Sequence, residues 1–135
     1  MYVHDTQVRV RYAETDQMGY VYYGNYAQYF ECGRVEGMRN LGMSYARLED
    51  SGVMMPVLES HHKFHKAGKY DELLTVKTTI PAMPGVKIRF EYEVFNEQQE
   101  LIHEGWTVLA FVDMETGKPM RPPQSMLDAL SPFFE

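Results

Sequence analysis

Asp16 lies within Thr15-Asp16-Gln17-Met18-Gly19-Tyr20-Val21-Tyr22-Tyr23-Gly24-Asn25-Tyr26, just ahead of the longest helical pattern in the chain. Gly19 lets the segment turn sharply after the carboxylate. The helix start at Tyr23 to Asn25 offers unpaired backbone N–H groups and the positive end of a helix dipole. A carboxylate beside anion-stabilising amides supplies two of the parts needed to hydrolyse an acyl compound. Asp16 would activate water or attack the carbonyl, and the amide near Tyr23 would hold the developing oxyanion. The residues alone leave a second reading open, in which Asp16 caps its own loop or pairs with Arg9 or Arg11.

Other chemistry finds less support. There is no Gly-x-Ser-x-Gly elbow, and the serines fall on helix caps or loops. Cys32 lies inside the helical pattern and reads as buried core filler rather than a nucleophile. In an extended strand His61 and His65 of His61-His62-x-x-His65 stand about 13 Å apart, too far to share a metal ion. No glycine-rich phosphate loop is present, and no cofactor is implied. Five of the ten tyrosines fall between Tyr20 and Tyr29. Tyr26 and Tyr29 read as helix packing with hydroxyls reaching water, whereas Tyr22 and Tyr23 are placed to line an acyl pocket. Lys63, Lys66 and Lys69 form a basic stretch free of acids, suited to phosphates or an acidic carrier, or simply a solvated loop.

These residues need elements to hold them. Gln7 to Tyr12 alternates as a half-buried strand, and Ala13 to Val21 is a loop. The helix spans roughly Gly24 to Leu41, with Asn25 at its N-cap and Gly42 as its stop. Tyr26, Phe30, Gly33, Gly37 and Leu41 share one face, and the two glycines on it imply a close approach by another backbone. Ser44 to Asp50 is a second short helix. Strands follow at Val53 to Lys66, with Pro56 tolerable only near a strand start or an edge, at Leu73 to Ile80, and at Val86 to Phe95. Leu101 to Asp113, apolar on both faces, is a central strand, with Asn96 to Glu100 as the hairpin before it. Gln124 to Leu130 closes the chain as a helical turn or two. The order is an α+β plan, a sheet wrapped over a helix.

The chain has 135 residues, so one domain spanning 1–135 is expected. Its net charge of −6 argues against general nucleic-acid affinity. No apolar run suffices for membrane insertion, no signal peptide is read, and a single cysteine suits the reducing cytoplasm. So short a chain leaves little room for both a core and a deep pocket, and an exposed sheet edge invites a second copy.

The segment Arg9-Val10-Arg11-Tyr12, Thr15-Asp16-x-x-Gly19-x-Val21-Tyr22-Tyr23-x-Asn25-Tyr26, Phe30-Glu31 resembles the hotdog-fold acyl-CoA thioesterases. The branch is that of 4-hydroxybenzoyl-CoA thioesterase and the Tol–Pal-associated enzymes. Lys69-Tyr70-Asp71-Glu72-Leu73 and the basic segment before it are similar to that family's second strand and its lead-in. The resemblance implies a long helix wrapped by a five-stranded antiparallel sheet, in a homodimer or homotetramer with interfacial active sites. It makes Asp16 the nucleophile or general base, with Gly19 shaping its loop and the Tyr23 amide as oxyanion donor. Tyr22, Asn25, Tyr26, Lys63, Lys66 and Lys69 become candidates for binding acyl-CoA. Two positions depart from the pattern: Tyr23 stands where many relatives carry His, and Lys66 where Pro is common. Dehydratases of the same fold need a histidine near the helix start, and none lies between Asp5 and Ser60. A thioesterase acting on acyl carrier protein and a non-catalytic acyl-thioester binding module are the remaining alternatives.

Overall fold

Alternating apolar and polar residues build most of the sheet. The computed structural model describes residues 1–134. Strands β1 (Tyr2–Arg9), β3 (Val57–Phe64), β4 (Leu73–Ile80), β5 (Lys87–Phe95) and β6 (Leu101–Ala110) form one antiparallel sheet in the order β1-β4-β5-β6-β3. Leu74, Val76 and Ile80 of β4 and Ile88, Phe90, Tyr92 and Val94 of β5 all point inward and are buried. They pack on helix α1 (Tyr26–Asn40) through Tyr29, Phe30 and Met38. Each such apolar side chain contributes about 1.5–3 kcal/mol by leaving water. This is the α+β hotdog arrangement that the resemblance implies, a long helix against five antiparallel strands.

Gly33 explains how closely α1 approaches. A Cβ there would overlap Thr78 Oγ1 and stand 2.8 Å from Val76 Cγ1, so only glycine fits against β4. At Gly37 the nearest atoms lie 3.7 Å away, which is ordinary contact, so the close approach expected from both glycines is a property of Gly33 alone.

Several boundaries differ from those expected. The first strand runs Tyr2–Arg9, not Gln7 to Tyr12, pairing along the whole of β4 from Tyr2↔Ile80 to Arg9↔Leu73. Polar His4 and Thr6 in the register of its inward residues hide the pattern from the sequence. The chain then folds into a 3₁₀ turn at Tyr12–Glu14. A second 3₁₀ turn at Tyr23–Asn25 leads into α1, two residues later than Gly24. The segment from Val53 to Lys66 is two strands, β2 (Val53–Met54) and β3, parted at Pro56. Leu101 to Asp113 likewise divides into β6 and β7 (Val112–Asp113), and β7 pairs with β2 as a separate ribbon. The interior placing of β6 holds, and Pro56 stands just before the start of β3, which is an edge strand.

Helix α2 (Tyr45–Asp50) starts as expected, with Ser44 Oγ accepting from the Arg47 amide at 3.2 Å, and Gly42 and Gly52 follow their helices at positive φ. Helix α3 (Gln124–Leu130) closes the chain. Cys32 is a correction. It is exposed, because it lies off the stripe of α1 that faces the sheet.

Candidate active site

The loop that carries Asp16 is tied at both ends before any chemistry is considered. Thr15 bridges to Val21, the Asp16 amide donates to Tyr20 O at 2.8 Å, and the Gly19 amide donates to Asp16 O at 3.0 Å. Gly19 has φ +76, a conformation natural to glycine, so the loop turns where the sequence suggests. The Val21 amide donates to Gly68 O and the Tyr70 amide to Gly19 O, which fastens the loop to the lead-in of β4.

Asp16 Oδ1 accepts from the Met18 amide at 2.9 Å and from the Tyr20 amide at 3.2 Å. These bonds fix the carboxylate's rotamer and leave Oδ2 for another partner. The capping role considered for Asp16 is therefore present, but its pairing with arginine is not. Arg9 Nη1 donates to Asp71 O at 2.7 Å, and Arg11 binds Glu14. One carboxylate oxygen organises the loop, and the residue lines a cleft.

That cleft, about 520 Å³, is lined by Asp16, Tyr20, Val21, Tyr22, Tyr23, Tyr26, Phe64 and neighbours up to Ala67. It joins the carboxylate to the helix start. The Tyr22 amide donates to Glu14 O and the Asn25 amide to Tyr22 O, while the amides of Tyr23 and Gly24, first in their turn, have no intrahelical acceptor. The Tyr22 and Tyr23 rings meet at 4.7 Å between centres, tilted by 39°, and stand exposed at the rim. Tyr23 also meets Phe64 edge-on at 6.5 Å.

Other predicted residues take different parts. Asn25 does not cap with its side chain; Nδ2 donates to Glu14 O at 2.8 Å, because that carbonyl lies across the turn. Tyr26 is buried, and its hydroxyl accepts from the Gly68 amide at 3.1 Å instead of reaching water. The Tyr29 hydroxyl likewise finds a protein partner, donating to Glu14 Oε1 at 3.0 Å. Lys66 pairs with Glu100, and with Lys69 it lines an adjoining hollow of about 430 Å³ that also holds Glu72. Lys63 is not brought to the cleft. Phe64 turns inward toward Tyr26, so strand alternation sends Lys63 to the outer face, opposite Glu104.

Two groups were missed in the sequence. Glu14 is 6% exposed and accepts from the Arg11 amide (2.9 Å), Arg11 Nε (2.9 Å), Arg11 Nη2 (2.7 Å) and Tyr29. Burial raises its pKa, but the stronger sum of these bonds and the Arg11 charge holds it below the usual carboxylate range. The Arg-x-x-Glu spacing was the available signal. His103 is fully buried against Tyr26 and shares a 2.9 Å hydrogen bond with His62, which in turn meets Ser60 at 2.8 Å. Burial first, then His62, pushes the His103 pKa down to about 3, so it is a neutral imidazole. A register shift in the β5–β6 ladder, between Val94 and Phe95, accounts for two consecutive buried residues, Ile102 and His103.

Among the described residues no group of three or more His, Cys, Asp or Glu is placed to hold a metal ion, and no helix is long and apolar enough to cross a membrane. A larger groove, about 900 Å³, runs between β1 and the solvent side of α1 past Arg9, Gln28, Cys32 and Val35, and contains neither Asp16 nor the helix start.

Comparison with known proteins places the chain in a family. The family model described as the thioesterase-like superfamily matches residues 10–130. YneP of Bacillus subtilis (strain 168), provisionally named an acyl-CoA thioesterase, is 36% identical over 121 residues, covering 90% of this chain and 88% of that one. The acyl-CoA thioesterase YbgC of Haemophilus influenzae is 30% identical over 120 residues, 88% of each chain. A crystal structure of the DHNA-CoA thioesterase from Staphylococcus aureus superposes with a TM-score of 0.93 at 36% identity, covering 98% of this chain and 91% of that one.

Proposed function

The chain belongs to the thioesterase-like superfamily and is an acyl-CoA thioesterase, and from that premise we propose that Asp16 and the Tyr23 amide carry the reaction. The observation behind this reading is that one cleft joins the open oxygen of Asp16 to the unpaired amides of the helix start. A thioester carbonyl seated between them would receive Oδ2, or a water activated by it, at carbon. Its oxygen would gain negative charge against the amide donor. Collapse of that intermediate breaks the carbon–sulfur bond and CoA leaves as the thiolate; when Oδ2 has attacked, water then hydrolyses the Asp16–acyl anhydride to restore the carboxylate and free the acid, and when water has attacked, the free acid forms directly. Asp16 is the nucleophile in the first version and the general base in the second.

Gly19 lets the loop place the carboxylate, and Tyr22, Tyr23, Tyr26 and Phe64 form an aromatic wall for the acyl group. Asn25 serves by holding the turn. Lys69, with Lys66, is the site for the carrier's phosphates, and Lys63 drops out of that role because it lies on the other face of the sheet.

A second copy of the chain completes the cleft. All of β3 is exposed except the half-buried His62, and Val57, Leu58 and Phe64 present apolar surface along an unpaired edge. Antiparallel pairing there would extend the sheet and supply the far wall. The same reading puts the enzyme in the cytoplasm as one hotdog domain, where CoA thioesters are made and an exposed Cys32 stays reduced.

The test is hydrolysis of a panel of short, long and aryl acyl-CoAs, followed by thiol release. Asp16→Asn should lower turnover by about 10²–10⁴-fold while thioester binding persists. Wild-type turnover by that variant would remove Asp16 from the mechanism. Release from acyl carrier protein thioesters but not from CoA would instead favour the carrier-protein reading.

A further inference from the structure

We propose that Glu14 is the positioning residue of this site: its side chain, clamped between Arg11 and Tyr29, fixes the one stretch of backbone from which both catalytic groups are held. The side chain binds in two directions. Toward the preceding turn, Arg11 reaches it with its amide, Nε and Nη2 at 2.9, 2.9 and 2.7 Å. Toward α1, the Tyr29 hydroxyl reaches it at 3.0 Å, and Tyr29 is itself locked in the core. A carboxylate held from both sides cannot drift, and neither can its own carbonyl. That carbonyl accepts from the Tyr22 amide at 2.9 Å and from Asn25 Nδ2 at 2.8 Å, the residues on either side of the Tyr23–Gly24 amides. On the other side Asp16 follows Glu14 by two residues, with Thr15 bridged to Val21 between them.

Oxyanion donor and carboxylate thus share one anchor. Glu14 touches neither substrate nor reacting atoms, and its work is to keep the separation of two groups that do. Buried polar networks of this kind are rigid only while each member is satisfied. A misplacement of about 1 Å at a reacting group costs about 10²-fold in rate. The proposal rests on the assignment of Asp16 and the Tyr23 amide, so the experiment separates the two.

Full-length protein carrying Asp16→Asn, Tyr29→Phe, Glu14→Gln or Glu14→Ala is assayed for acyl-CoA hydrolysis, with folding checked by circular dichroism. Tyr29→Phe deletes a single hydroxyl and should lower kcat about 10-fold with KM within about twofold of wild type. Glu14→Gln retains acceptors for the Arg11 amide and Tyr29 and should keep more turnover than Glu14→Ala, again through kcat. A residue that only stabilised the fold would reduce the folded fraction and leave kcat per folded molecule unchanged. If folded Tyr29→Phe and Glu14→Gln both turn over at the wild-type rate while Asp16→Asn is dead, the positioning role is overturned and the site assignment stands. Full turnover by Asp16→Asn would overturn the assignment itself. Should the Glu14 variants fail to fold, Tyr29→Phe decides alone.

Discussion

The two oxygens of Asp16 divide the labour of structure and chemistry, and single lysines nearby divide by the face of the sheet they occupy. Lys69 stands beside Lys66 in the hollow adjoining the cleft, whereas Lys63 sits opposite Glu104 on the outer face. Lys69→Ala should therefore raise KM for an acyl-CoA several-fold, with an effect that shrinks in high salt, and Lys63→Ala should leave KM unchanged. A truncated thioester lacking phosphates serves as the control, since its KM should be indifferent to both changes. At this scale the sequence was legible wherever a residue acts through its immediate neighbours. Asp16, Gly19 and the helix start were visible because a carboxylate, a turn glycine and free amides lie close along the chain. Glu14 was not, because its weight comes from Tyr29, a partner brought near only by folding. The outward turn of Lys63 could have been read from alternation once Phe64 was placed on the helix side of the strand.

Elements were legible where burial is one-sided. The clean alternation of β5 follows from one face on the core and one in water, and the register with β4 and β6 agrees with it. Long apolar stretches misled where a proline or a change of partner divides them, as at Pro56 and between β6 and β7. Helix α1 offers a paired test of close packing. Gly33→Ala gains about 1 kcal/mol in helix propensity but must push aside Thr78 and Val76, at an overpacking cost of about 1–3 kcal/mol, so it should be destabilising. Gly37→Ala keeps the propensity gain and meets only ordinary contacts, so it should be neutral or stabilising by up to about 1 kcal/mol. Urea midpoints of the two variants check both signs.

For the whole molecule, buried His103 sets a pH dependence. His103 is held near a pKa of about 3 when folded, far below its value in the unfolded chain. The unfolded state therefore takes up a proton first as pH drops. The stability that depends on a neutral His103 is complete above about pH 6.5, and it erodes toward about pH 3 with a slope of about 1.4 kcal/mol per pH unit. Glu14, shifted down in the fold, adds a loss in the same direction once pH falls through the carboxylate range. Urea denaturation from pH 7 to pH 4 should show the slope above pH 5, and His103→Phe should flatten it. The shared-site reading predicts that specific activity falls on dilution below the concentration at which copies pair through β3, with sedimentation velocity reporting the change in mass together with the change in rate.

Cys32 then acquires a use that no part of the reaction gives it. It is the chain's one thiol, it is exposed, and it stands on the solvent side of α1. Desolvation and the nearby Glu31 carboxylate hold its pKa above the usual thiol value, so maleimide attachment will quicken as the buffer is made more alkaline. A nitroxide placed there labels the native sequence once per chain, with no engineered cysteine. In a two-fold pair the two spins define a single distance by electron double resonance, whereas four copies with dihedral symmetry give several. The choice between two chains and four thus comes down to counting peaks in one distance distribution.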